Sequence, residues 1–123
     1  MEKLRIVEFY RMADGSKPVA EWLDGLDDER AQAVAMGVKF FEEYPSVVVP
    51  TKIFEKVRGE IWEIKAHRGK EQFRLYAFWD DALIVAAVGV EKKWQKARGA
   101  DVELAEKRRR DHFARKMSAA RPK

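Results

Sequence analysis

Apolar and polar residues alternate twice in the middle of the chain, and this period of two predicts β-strands with distinct faces. Over Ile61 to His67, Trp62, Ile64 and Ala66 fall on one face and Glu63, Lys65 and His67 on the other. Over Phe73 to Trp79, Phe73, Leu75, Ala77 and Trp79 share a face opposite Arg74, Tyr76 and Phe78. A loop around Arg68-Gly69-Lys70 joins the two strands, and a tight turn at Asp80-Asp81 leads into Ala82 to Val90. That run is apolar without alternation, as a strand buried on both faces in mid-sheet requires. If the polar faces of the first two strands coincide, Lys65, His67, Arg74 and Tyr76 meet on one surface. Such a surface suits a polyanion with stackable bases.

Upstream, Leu4 to Arg11 is rich in β-branched and aromatic residues and ends at the turn cluster Ala13-Asp14-Gly15-Ser16, which predicts a first strand. Pro18 fits the first position of a helix that carries Val19, Trp22, Leu23 and Leu26 and breaks near Gly25. Asp27 or Asp28 can cap a second helix, Glu29 to Tyr44, with Ala31, Val34, Ala35, Val38 and Phe41 along one side. Pro45 stops it, and the stretch to Gly59, with Val47-Val48-Val49, reads as a connector. Ala100 to Met117 predicts a last helix with few apolar residues, suited to the surface rather than the core. Residues 1–117 then form one α+β domain of order β-α-α-β-β-β-α, with two helices against one face of a largely antiparallel sheet. Residues 118–123 read as a disordered basic tail. Trp22, Trp62 and Trp79 are assigned to the core.

Composition narrows the function classes. At 123 residues the chain suffices for one core. The absence of cysteine excludes disulfides and thiolate metal sites, and His67 and His112 are too few and too far apart in sequence for a zinc site, so no metal or cofactor is expected. No leader is read at the N-terminus and no apolar run approaches membrane-spanning length, so a cytoplasmic protein without a membrane partner is expected. The net charge of +4 hides an asymmetry: residues 1–91 carry 13 Lys and Arg against 17 Asp and Glu, whereas residues 92–123 carry 12 against 4. A basic end on a mildly acidic body points to a polyanionic or acidic partner met at that end.

Several segments together resemble the RelE/ParE superfamily of small bacterial toxins, and within it the phage-derived HigB-like branch. They are Pro18-Val19 with Glu21-Trp22-Leu23 ahead of a Leu-Asp step, then IWEIKAH, FRLYAF, VGVEKKWQK and ELAEKR, spread over roughly residues 4 to 110. The resemblance implies a RelE-like fold and the toxin of a type II toxin-antitoxin module, an mRNA endoribonuclease acting on the ribosome and silenced by a helix-turn-helix antitoxin. In that metal-independent chemistry a ribose 2′-OH attacks the adjacent phosphate, so a site must take a proton, stabilise a dianion and return a proton.

Carried over by motif, Lys65 and Arg74 match basic residues on the first two strands of the meander, and Arg74 would hold the scissile phosphate. Lys92 or Lys93 matches the basic residue after the last strand. His67 is a candidate acid or base. Arg68, Tyr76, Lys92, Trp94, Lys96 and Arg98 complete an expected RNA-binding set. Two departures stand against this. Glu63 occupies a position that is basic in the enzymes closest to RelE, and no C-terminal tyrosine matches. Arg74 also has a structural reading, as the salt-bridge partner of Glu63 or Glu71. Two other functions fit the same fold, a ParE-like toxin that binds DNA gyrase and an inactive phage-derived nucleic-acid-binding protein.

Overall fold

A computed structural model of the protein describes residues 5–43, 53–92 and 99–120. Eight elements follow one another: β1 (Ile6–Phe9), α1 (Pro18–Asp24), α2 (Asp28–Glu43), β2 (Phe54–Arg58), β3 (Ile61–Arg68), β4 (Glu71–Asp80), β5 (Leu83–Lys92) and α3 (Gly99–Ala120). The strands form one mixed sheet in the order β1-β5-β4-β3-β2, in which β1 pairs parallel with β5 and the other neighbours are antiparallel. The α+β class, the two leading helices and the meander are as the alternation predicts. β2 is an addition. It lies in the stretch read as a connector, because an edge strand with the sequence Phe-Glu-Lys-Val-Arg buries little and leaves a weak apolar signal.

Tight turns fix the registers. Gly69 (φ +60°) turns β3 into β4 so that Arg68 faces Glu71, and Asp81 (φ +57°) turns β4 into β5 so that Asp80 faces Leu83. In β5, Ile84 and Ala86 face one core while Val85, Ala87 and Val88 face the other. A bulge between Tyr76 and Ala77 of β4 lets the successive residues Ala87 and Val88 serve the same face. The prediction of a mid-sheet strand buried on both sides therefore holds.

The two faces of the sheet are covered differently. Val19 of α1 and Val34 and Phe41 of α2 pack on Ile64, Phe73, Leu75 and Ile84. On the other face α3 lays Val102, Ala105 and the half-buried Phe113 against Ile61, Tyr76, Phe78 and Val88. The expectation that α3 lies outside the core is corrected here: Val102, Ala105 and Phe113 share one stripe, and that stripe is enough to seal the sheet, while Leu104 and Met117 stay exposed. The helix also runs to Ala120, three residues past its expected end and into the segment read as a loose tail. Trp79 is 40% exposed rather than in the core, and Trp22 and Trp62 are half-buried, the latter stacked 4.6 Å from Phe54.

At the sheet's β1 edge, the Val7 N–H donates to the Glu42 carboxylate at 2.8 Å and the Arg5 N–H to the Glu42 carbonyl at 3.1 Å. The end of α2 thereby satisfies backbone groups that an open edge would offer to another strand.

Candidate functional site

Antiparallel pairing of β3 with β4 sets Lys65 opposite Arg74 and Glu63 opposite Tyr76, while β4–β5 pairing sets Gln72 opposite Lys92. The polar faces predicted from alternation do coincide. They coincide, however, on the side covered by α3, so the surface is not open. Arg74 is 5% exposed, Glu63 3% and Tyr76 1%. The Arg74 guanidinium donates through Nη1 to the Glu63 carboxylate and through Nη2 to Gln72 Oε1 at 2.9 Å, while its buried Nε has no hydrogen-bond partner among the described residues. Lys65 Nζ lies 2.5 Å from the Glu55 carboxylate and 3.8 Å from that of Glu63.

Electrostatics follow from this packing. Burial, and after it the nearby Glu63 charge, pushes the Tyr76 hydroxyl up to about 12, so Tyr76 is a neutral phenol at physiological pH. Lys92 is lowered, first by burial and then by repulsion from Arg74. Glu55 is held below the usual carboxylate range by its bond to Lys65. The cluster thus gathers Lys65, Arg74 and Lys92 from three adjacent strands around Glu63, with Glu55 from β2 at its rim. It can stabilise an anion electrostatically, and Glu63 is an acceptor for a proton. To grip a phosphate with both Nη groups, Arg74 must exchange its bond to Glu63 for one to the ligand.

The other expected site residues divide. His67 is exposed at the end of β3, opposite Gln72. Arg68 points away from the cluster: it binds Glu29 and, at 3.0 Å, Glu71, which in turn takes a 2.5 Å bond from Arg30 of α2. It fastens the hairpin to α2 and stands apart from the Lys65–Arg74 cluster, because a residue one step along a strand from the exposed end of the polar face turns to the opposite side. Tyr76, expected in the RNA-binding set, is buried against α3 and offers no ring face to a ligand. Lys93, Trp94, Lys96 and Arg98 lie outside the described residues. Glu55 has no signal in the sequence because β2 has none, whereas Glu63 is legible there both as a departure from the RelE pattern and as the salt-bridge partner of Arg74, the pairing found in the structure. Among the described residues, no group of three His, Asp or Glu side chains is placed to hold a metal ion, and no helix is long and apolar enough to cross a membrane.

Residues 21–110 match the family described as "Phage derived protein Gp49-like (DUF891)". The chain belongs to this phage-derived Gp49-like family. The matched span runs from α1 into α3 and contains every residue of the cluster. The Gp49-like family is RelE-like and of the toxin-antitoxin kind, which fits the β-α-α then meander then helix order. No curated protein matches the chain by sequence.

Proposed function

We propose that this Gp49-like protein is the toxin of a type II toxin-antitoxin pair, of the HigB-like branch, that cleaves mRNA on the ribosome without a metal. The observation that carries this reading is the direct pairing of Lys65 with Arg74 and the proximity of Lys92, which concentrates three cations around one buried carboxylate. A gyrase-binding toxin has no need of such a cluster. In this reading Arg74 and Lys65 stabilise the charge of the pentacovalent phosphate. Glu63 accepts the 2′-OH proton once Arg74 turns from it to the phosphate. Lys92 or Lys93 contributes further charge, with His67 as a candidate acid at the rim. The partners are the ribosome, mRNA and a helix-turn-helix antitoxin, and the site of action is the cytoplasm.

One observation favours a second reading, a protein of the same fold without activity: Arg74 is already neutralised by Glu63. Induction of the protein in cells lacking an antitoxin separates the two, with methionine and thymidine incorporation followed by pulse labelling. Methionine incorporation is expected to fall within minutes while thymidine incorporation continues. Arrest of thymidine incorporation alone would point to gyrase, and continued growth to the inactive reading.

A further inference from the structure

A cleft of about 660 Å³ opens on the same sheet face as the cluster but at the far end of α3, between the helix and β1. Arg11 and Lys17, which flank the turn after β1, stand in its lining with His112, Arg115 and Lys116 of α3. The helical residues share a side of α3 by their i, i+3, i+4 spacing. Glu8 is the lining's one carboxylate.

Buried or shared acids fix the helical cations in place. Asp80, 7% exposed, accepts from His112 Nε2 at 2.8 Å and from Lys116 Nζ at 2.7 Å. Asp111 accepts from Tyr10 Oη at 2.5 Å and from Arg115 Nε at 2.9 Å, and Arg115 also donates to the carbonyl of Arg11. The guanidinium carbons of Arg108 and Arg115 lie 5.9 and 5.8 Å from the Tyr10 ring centroid. These bonds orient cations along one wall before any ligand arrives. Arg11 and Lys17 on the other wall are exposed and make no side-chain hydrogen bond or ion pair among the described residues.

We propose that this cleft is a binding site for the phosphodiester backbone of single-stranded RNA, separate from the Lys65–Arg74 cluster. A polyanion gains chiefly from Arg11 and Lys17, whose charges no carboxylate offsets among the described residues, with the acid-anchored Arg115 and Lys116 set opposite as donors, since each phosphate met by Lys or Arg releases condensed counterions. RNA is favoured over an acidic peptide because its charges sit on the chain itself. The carboxylates of a peptide arrive on flexible stems whose freedom is lost on binding. The inference extends the proposed function, but RNA binding is measured without ribosomes or cleavage, so each can fail alone.

The test is fluorescence anisotropy with a labelled oligouridylate, titrated with the full-length protein and with the double variant Arg11→Gln/Lys17→Gln over a range of salt. Neither side chain makes a bond that folding needs: Arg11 offers Arg115 its carbonyl, and Lys17 caps α1 without a side-chain bond. Circular dichroism checks the fold of each variant. The double variant is expected to bind at least about tenfold more weakly at low salt, with the slope of log K against log salt shallower by about 1.4, or about 0.7 for each phosphate no longer neutralised. A control of equal charge change on other surfaces, Lys39→Gln/Lys56→Gln, is expected to keep the unmodified slope. The proposal is overturned if the cleft variant binds like the unmodified protein, if the control weakens binding equally, or if polyglutamate of the same charge competes as well as RNA does.

Discussion

Arg74 sits where two demands meet. Its place in the FRLYAF segment makes it the proposed phosphate ligand, yet in the folded chain it is the buried counter-ion of Glu63. Removal of one partner from such a pair leaves the other charge buried and alone, so Arg74→Ala is expected to lose about 3–5 kcal/mol of stability as well as function. Urea unfolding measures this, and the double change Glu63→Leu/Arg74→Met should recover most of the loss. A single variant as stable as the unmodified protein would show that the pair is solvated. Tyr76, on the same face, gives a pH signature. Its hydroxyl is raised to about 12, so the folded protein holds the phenolic proton more tightly than the unfolded chain. The stability this confers is complete below about pH 10, the ordinary tyrosine value, and is lost as pH rises from there towards 12. Tyr76→Phe cannot ionise, so its urea midpoint should fall less steeply between about pH 10 and pH 12. An equal fall in both proteins would place the alkaline loss elsewhere.

Between elements, the motif residues that carry the family likeness turn out to touch. A Cβ built on Gly89 of β5 would come within 2.3 Å of the Trp22 ring of α1, so the glycine of Val-Gly-Val is what lets the Glu-Trp-Leu segment lie flat on the sheet. Gly89→Ala is expected to cost about 1–3 kcal/mol by overpacking, read as a lowered melting temperature, and Trp22→Phe beside it should restore part of the loss. A neutral Gly89→Ala would mean that α1 shifts freely. This packing is invisible in sequence because it joins residues far apart in the chain. Strong periodicity made β3, β4, α1 and α2 legible. β2 was hidden in a stretch of prolines and charges, and the parallel pairing of β1 with β5 has no local signature. The site was half legible: alternation correctly placed Lys65, Arg74 and Tyr76 on one face. It could not say that α3 would cover that face, since a few apolar residues on a charged helix read as a surface pattern. Nor could it find the second wall of the cleft, which Arg11 and Lys17 supply from the turn after β1.

In the whole molecule, α3 joins these observations. By sealing one sheet face it buries Arg74 beside Glu63, and by running on to Ala120 it sets Arg115 and Lys116 facing the turn after β1. Of the basic C-terminal quarter, Arg115 and Lys116 lie along one side of this helix and are held there by Asp111 and Asp80. The central claim is that this Gp49-like chain cuts mRNA engaged with the ribosome. It is tested most directly by adding the purified protein to a reconstituted translation system and mapping the message by primer extension, with and without ribosomes. The account predicts new 5′ ends only when ribosomes are present, and upstream fragments ending in a 2′,3′-cyclic phosphate as the 2′-OH mechanism requires. A message that stays intact while translation proceeds, in the presence of folded protein, would contradict it.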